Sequence, residues 1–296
     1  MNKGILYAVG AYVLWGVYPA FWKLLDHVPA VEIILHRVMW SFLLLTAFLL
    51  IRKRWTAFRE AVSTWRVLRV YILSALFLGT NWLVYVWGVN AGYIVDTSLG
   101  YFINPLFNVL LGVVLLGERL RPMQWVPIGI AAGGVLYLTI SYGALPWIAL
   151  TLAMSFGLYG LVKKAAPLGS LHGLTLETGI LFLPALITLG VFEADGQAAF
   201  LNTGQTTDIL LLLTGLLTTI PLLMFSMAAR RIPLSLVGLL QYIAPTIQLL
   251  LGVLVYGESF TRVRQIGFGL VWTALILYWA EGWWVQRQTR ITGQLA

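Results

Sequence analysis

Ten apolar runs dominate the chain, and each is about as long as a helix needs to cross the hydrocarbon core of a bilayer, ~20 residues. They fall at roughly 4–23, 30–51, 67–90, 93–116, 122–141, 145–163, 171–193, 208–229, 234–257 and 264–286. Inside lipid every backbone N–H and C=O must be satisfied within the segment or by a closed barrel. Barrel strands alternate polar and apolar residues over ~10 positions, and these runs are continuously apolar. The expected fold class is therefore all-α integral membrane, with ten transmembrane helices. Composition agrees: 60% of the 296 residues are apolar and 10% are charged, against about 25% charged in a soluble domain. No loop exceeds about fifteen residues, so no soluble nucleotide-binding domain fits. Neither a P-loop nor a G-x-G-x-x-G string occurs, which argues against ATP-driven pumping by this chain alone.

The cysteine count is 0, which removes disulfides, thiolate metal sites and thiol nucleophiles. His27, His36 and His172 form no spaced metal motif, and no metal or cofactor is expected. The first run is long enough to span and no small-residue cleavage site follows it, so it reads as a helix and not as a signal peptide.

Lys+Arg 19 against Asp+Glu 11 gives a net charge of +8. The basic residues sit in short loops between apolar runs, where they read as topology signals and not as a nucleic-acid surface. Arg52, Lys53, Arg54, Arg59, Arg66 and Arg69 follow span two, and Arg119 and Arg121 follow span four. Lys163 and Lys164 follow span six, Arg230 and Arg231 follow span eight, and Arg287 and Arg290 close the chain. All are cytoplasmic if both termini are. The loop after span seven is acidic, with Glu193, Asp195 and Asp208, while Arg262 and Arg264 fall on the expected outside as an exception.

The two halves repeat. Residues 99–118 and 239–258 are identical at Leu99, Ile103, Pro105, Leu110, Leu111, Gly112, Val113, Gly117 and Glu118 when offset by 140. More faintly, Gly16, Tyr18 and Lys23 match Gly157, Tyr159 and Lys164 at an offset of 141. Each half holds five helices, an odd number, so the second copy must sit inverted in the membrane. The expected organisation is a first repeat over 1–143, an inverted second repeat over 144–290 and a short cytoplasmic tail at 291–296. Inverted repeats are a common architecture of secondary transporters, with a site near the midplane between the repeats.

Polar residues inside the spans mark candidate sites. Thr97, Tyr101, Asn104 and Asn108 form one face of span four, with Gln241 and Gln248 opposite Tyr101 and Asn108 in its copy. The stripe reads as a cavity wall or as hydrogen-bonding glue between helices. Pro105 and Pro245 occupy equivalent mid-span positions and are candidate hinges. Trp15, Tyr18 and Trp22 form an aromatic stripe in span one, and span three adds Asn81, Trp82 and Tyr85. Trp22 and Trp87, near helix ends, read as interface-belt residues, while the deeper Trp15 and Tyr85 read as cavity residues.

Three ionisable residues lie well inside spans: His36 and Arg37 in span two and Glu177 in span seven. Each is about 9 Å from its membrane boundary at ~1.5 Å per residue. His36 aligns with Glu177 at the offset of 141, on opposite sides of the midplane, so the two are not expected to pair. Either can take up a proton near neutral pH and is a candidate coupling site. Arg37 is a candidate clamp for a substrate carboxylate, with snorkelling as its structural alternative. Glu32 and Asp96 lie nearer the outer surface; Glu32 either pairs with His36 one turn on or is a solvated helix-start carboxylate. The Gly-Glu pairs at 117–118 and 257–258 read as helix caps.

Ten spans in two inverted halves, each ending in a Gly-Glu turn, resemble the EamA branch of the drug/metabolite transporter superfamily. The strings AYVLWGVYPAFWKLL, LHRVMWSF, NWLVYVWGVN, SLGYFINPL, LGERL, LTLETGILFLP and QYIAPT resemble the RarD-type permeases in particular. The resemblance implies a carrier of the bacterial inner membrane with a central cavity and alternating access, moving amino acids, related metabolites or amphiphilic drugs. The family's pattern positions fall here on Trp15, His36, Arg37, Asn81, Trp82, Tyr101, Asn104, Pro105, Glu177, Gln241 and Pro245. The expected function is secondary transport of a small polar or amphipathic solute, with the lipid bilayer, a small-molecule substrate and protons as partners and no nucleic acid. Spans one to four and six to nine are expected to line the cavity, and spans five and ten to brace it. A channel or membrane sensor is the alternative. An intramembrane lipid-modifying enzyme is disfavoured, because no D-D-x-x-D, H-E-x-x-H or G-x-S-x-G string is present.

Overall fold

An apolar run in hydrocarbon has only its own backbone to bond with, and all ten runs close their hydrogen bonds as helices. The computed structural model describes residues 2–91, 93–143, 146–257 and 260–294; the side chains of residues 90, 94–96, 142 and 286–294 lie outside that description. The first repeat comprises α1 (Lys3–Trp22), α2 (Ala30–Ile51), α3 (Trp55–Val62), α4 (Trp65–Asn90), α5 (Ile94–Val114) and α6 (Trp125–Tyr142). The second comprises α7 (Trp147–Ala165), α8 (Ser170–Ala194), α9 (Gln205–Ala229), α10 (Leu234–Gln241), α11 (Ile243–Leu250) and α12 (Arg262–Gln294). Leu, Ile and Trp side chains such as Leu83, Ile140, Leu254 and Trp279 are exposed around the bundle, a surface that suits lipid and not water.

Three elements differ from the expected spans. The basic loop after span two contains a helix, α3, because Trp55, Phe58 and Val62 fall on one face; Phe58 is buried and its ring lies 5.7 Å from that of His172 on α8. Span nine is not continuous. It divides into α10 and α11 at Tyr242, and Leu251–Val255 winds as a π-turn. Pro245 has no N–H to give the Gln241 carbonyl one turn earlier, and the division falls there. Its counterpart Pro105 sits inside an unbroken α5. Finally, α12 runs on to Gln294, into the segment expected as a tail.

The contacts between helices obey a two-fold pattern. α1 packs on α9, α10 and α11; correspondingly, α7 packs on α4 and α5. α2 packs on α9 as α8 packs on α4, and the pairs α2–α8, α5–α10 and α6–α12 are each their own symmetry mates. α6 and α12 pack chiefly on each other, to one side of the rest.

One end of the bundle gathers cations. Arg230 Nη1 donates to the carbonyls of Ala166 (2.7 Å) and Leu168 (2.8 Å), and Lys164 Nζ donates to those of Ala229 (3.3 Å) and Ile232 (2.7 Å). Ala166 and Ala229 stand at the C-terminal ends of α7 and α9, where cations satisfy free carbonyls, and Leu168 and Ile232 lie in the loops that follow. At the same end Gly117 turns the chain with φ +65, a conformation that costs glycine little. Glu118 is then a cap, but not of the next helix in sequence. Its carboxylate accepts from Leu234 N (2.6 Å), Ser235 N (2.9 Å) and Ser235 Oγ (2.7 Å) at the start of α10 in the other repeat. Gly257 repeats the turn with φ +68, whereas Glu258 lies outside the described residues.

α5 and α10 cross closely because Gly238 has no side chain. A Cβ there would sit 2.5 Å from the Pro105 carbonyl oxygen and 2.8 Å from Asn108 Cβ, whereas one on Gly129 in α6 meets nothing within 4 Å. Overpacking of this kind costs about 1–3 kcal/mol. Gly238→Ala should therefore lower the melting temperature of the detergent-purified protein, and Gly129→Ala should not. Equal melting of Gly238→Ala and wild type would show that the crossing has room to spare.

Candidate functional site

Inside the bundle, in the half away from the basic end, lies a cavity of about 150 Å³. Its walls come from the last turns of α1 (Trp15, Tyr18, Pro19, Trp22), the second turn of α2 (Arg37), the C-terminal half of α4 (Asn81, Trp82, Tyr85) and the first turns of α5 (Thr97, Gly100, Tyr101, Asn104). α7 contributes Leu152 and Phe156, α9 contributes Leu222, and span nine contributes Gln241, Ala244 and Gln248. Among the described residues α8 contributes none, so span seven does not line the cavity as expected.

Arg37 is its charged centre. Nε donates to Thr218 Oγ1 at 2.9 Å, and the guanidinium carbon lies 5.2 Å from the Trp22 ring centroid and 5.0 Å from that of Trp82. These are cation–π distances. Arg37 is thus held inward between rings and does not snorkel. Trp22, expected in an interface belt, belongs to this cage, because the end of α1 reaches over the start of α2. Trp87 is half exposed and its ring lies 5.5 Å from that of Trp147.

The amides are at once wall and glue. Asn81 Nδ2 donates to the Leu152 carbonyl (3.0 Å) and Ser155 Oγ (3.1 Å), Asn104 Nδ2 to the Ala153 carbonyl (2.8 Å), and Gln248 Nε2 to the Trp15 carbonyl (3.1 Å). Each bond joins one repeat to the other. Asn108 is fully buried behind the wall, donating to Asn104 Oδ1 (3.0 Å) and Gln241 Oε1 (3.1 Å). The rings of Tyr85 and Tyr101 meet at 6.1 Å.

Toward the basic end the cavity stops at packed rings. Trp15 meets Tyr12 (5.7 Å), Phe156 (5.7 Å) and Phe225 (5.9 Å), and Phe156 meets Phe225 at 5.1 Å and Tyr159 at 5.8 Å. Trp15 and Phe156 are equivalent at the offset of 141, so their contact straddles the pseudo-two-fold axis.

Beyond the rings lies the buried pair that the sequence reading missed. Lys163 Nζ donates to both oxygens of Glu177 at 3.0 and 2.9 Å; Tyr159 donates at 3.3 Å, and Ser74 Oγ also donates to the carboxylate. Lys163 is 2% exposed and Glu177 0%. Lys163 was expected in a loop, but α7 extends to Ala165 and carries it inside. The available signal was the carboxylate itself, since a charge in a span needs a partner.

His36 and Glu32 form a separate buried group. Glu32 is neither solvated nor simply a partner of His36. Its carboxylate accepts from the backbone N–H of Ala199 (2.9 and 3.0 Å) and Phe200 (3.0 Å), with His36 Nε2 at 3.7 Å. His36 Nδ1 accepts from Trp40 Nε1 at 3.1 Å, which places the ring proton on Nε2. The Asp96 side chain lies outside the description. No group of three or more acidic or histidine side chains converges as a metal site among the described residues.

A ten-helix membrane bundle of two inverted repeats, enclosing a cavity between them that is shut on one side, is the architecture of a carrier. The chain belongs to the EamA-like transporter family, which it matches over residues 2–140 and 145–280, and to its RarD branch. It is 48% identical to Protein RarD of Streptomyces exfoliatus, covering 93% of this chain and 88% of that one. It is 44% identical to an uncharacterized transporter of Vibrio cholerae (95% and 93% covered) and 39% identical to Protein RarD of Escherichia coli (97% and 97%). A solved crystal structure 18% identical in sequence superposes with a TM-score of 0.68 over 94% of this chain and 97% of that one, a likeness of fold.

Removing one partner of a buried ion pair strands the other and costs about 3–5 kcal/mol, whereas replacing both with apolar groups is often neutral. Lys163→Met and Glu177→Met should each lower the melting temperature sharply in detergent, and the double variant should recover most of the loss. A double variant as unstable as the sum of the two would show that the pair is not coupled.

Proposed function

We propose that the chain is a secondary transporter of the bacterial inner membrane, carrying a small polar or amphipathic organic solute, such as an amino-acid-like metabolite or a drug, by alternating access. Both termini and the basic end face the cytoplasm, in keeping with the distribution of arginines and lysines. The observation that carries this reading is the asymmetry of two equivalent halves. The half holding Arg37 encloses a cavity, while its pseudo-symmetric counterpart is packed shut around Lys163 and Glu177. Exchanging the two packings would move the cavity from one side of the Trp15–Phe156 contact to the other, the rocking motion of inverted-repeat carriers.

We assign no coupling role to His36 or Glu177. Neither lines the cavity, and each is held in a buried network. As for the expected hinges, Tyr242, where α10 gives way to α11, marks a joint one turn before Pro245, whereas Pro105 supports the α5–α10 crossing.

The natural absence of cysteine makes the test direct. Ala244 borders the cavity, and Thr178, the equivalent of Arg37 at the offset of 141, is fully buried in the shut half. In oriented membrane vesicles an impermeant thiol reagent should label Ala244→Cys only from the outer face and Thr178→Cys only from the cytoplasmic face. Labelling of Ala244→Cys from both faces would point to a channel, and a Thr178→Cys that never reacts would leave no second open state.

A further inference from the structure

We infer that the solute is a hydrophobic monoanion, a carboxylate on a benzene-sized ring, and not a zwitterion or an organic cation. The inference rests on the transport reading and sharpens it to a substrate class. Among the described residues the one side-chain hydrogen bond of Arg37 runs from Nε to Thr218, and the guanidinium borders the cavity with its two terminal nitrogens uncommitted. A guanidinium in that state offers a planar pair of donors matched to a carboxylate. No carboxylate lies within ion-pair distance of it among the described residues, and none of the described cavity-lining residues is Asp or Glu. An ammonium group entering the cavity would meet a fixed positive charge and, among the described residues, no acidic counterpart.

The size and lining of the cavity suit the remainder of such a solute. A cavity of about 150 Å³ has room for a benzene ring, and the rings of Tyr18, Tyr85 and Tyr101 stand around this one. Tyr12, fully buried, backs the cavity behind these rings.

The shut half shows why a charge on the solute matters. There the cation Lys163 is buried only together with the carboxylate of Glu177. At the equivalent of Glu177 stands His36, which is turned to Glu32 and Trp40. The one carboxylate described near it, Glu32, is taken up by the backbone N–H groups of Ala199 and Phe200, so among the described residues Arg37 has no carboxylate partner, and closing the cavity would bury that charge unmatched, a costly state. A bound carboxylate supplies what Glu177 supplies on the other side. Load recognition and permission to close then reside in one ion pair.

The test uses three ligands of one shape, phenylacetate, phenylacetamide and phenethylamine, on the detergent-purified full chain. A ligand that binds only the folded state raises the melting temperature. Phenylacetate at tenfold its Kd should raise it by about 3 °C and should slow thiol labelling of Ala244→Cys. The amide and the amine should bind at least tenfold more weakly. Arg37→Gln should remove the preference for the acid; should that variant fail to fold, the ranking of the three ligands on the otherwise native chain still decides. A stronger response to phenethylamine or to the amide overturns the inference, as does no response to any of the three, or an acid preference that survives in Arg37→Gln. The transport reading stands or falls separately, on the sidedness of labelling at Ala244 and Thr178. Sided labelling with no acid preference sinks the substrate class alone, and acid preference without sided labelling sinks transport alone.

Discussion

A charge carried into hydrocarbon must be matched, and the matching of two cations orders this molecule. Lys163 is matched by Glu177 with Ser74 and Tyr159 completing the shell. Among the described residues Arg37 is met by the faces of Trp22 and Trp82 and the hydroxyl of Thr218. The site of the ion pair is packed shut, and the site where rings and one hydroxyl meet the cation borders open space. Two halves with the same helix arrangement thus differ both in packing and in how their buried cation is met. The pair also fixes helices in place: Glu177 on α8 gathers Lys163 and Tyr159 from α7 and Ser74 from α4, so three helices converge on one carboxylate.

The polar bonds between repeats are arranged to join rigid blocks and not to cement the whole. The amide side chains of Asn81, Asn104 and Gln248 donate to backbone carbonyls of the opposite repeat, and Glu118 caps α10 across the same boundary. Each is local to one pair of helices. α6 and α12 pack on each other and make few contacts elsewhere, so they can brace the bundle without entering any exchange of packing at its centre. The ring cluster around Trp15 and Phe156 lies where the halves meet.

The helices and the inverted repeat were legible in the sequence because both rest on strong constraints: the length of an apolar run and the spacing of Pro, Gly and Gly-Glu landmarks. The cavity lining was legible where polar residues repeat at helical spacing, as in Tyr101 and Asn104, which border the cavity, and Asn108, which backs it. It was not legible where the outcome depends on which helix lies opposite. Trp22 reads as a belt residue from its place near a helix end, and only the packing of α1 against α2 brings it over Arg37. Lys163 reads as a loop cation because nothing local says that α7 continues to Ala165. Glu32 has no sequence partner for its carboxylate because the donors are backbone N–H groups 167 and 168 residues away. Charge partners in a membrane bundle are chosen by topology, and local pattern carries little information about them.

The two prolines sharpen the point that symmetry of sequence does not impose symmetry of shape. Pro105 and Pro245 are equivalent, and each denies its helix one hydrogen bond. In α5 the freed strain is contained, because Gly238 lets α10 lie directly on the Pro105 carbonyl and Asn104 and Asn108 tie the helix to its neighbours. In span nine the equivalent positions carry Ala244 and Gln248; Gln248 turns to the Trp15 carbonyl, and the helix gives way at Tyr242 with a π-turn further on. If the halves exchange packings, these environments must exchange too: α5 would loosen at Pro105 as span nine straightens. A conformational change of this kind needs no flexible loop. It needs two helices with the same weak point, of which this structure holds one straight and the other broken.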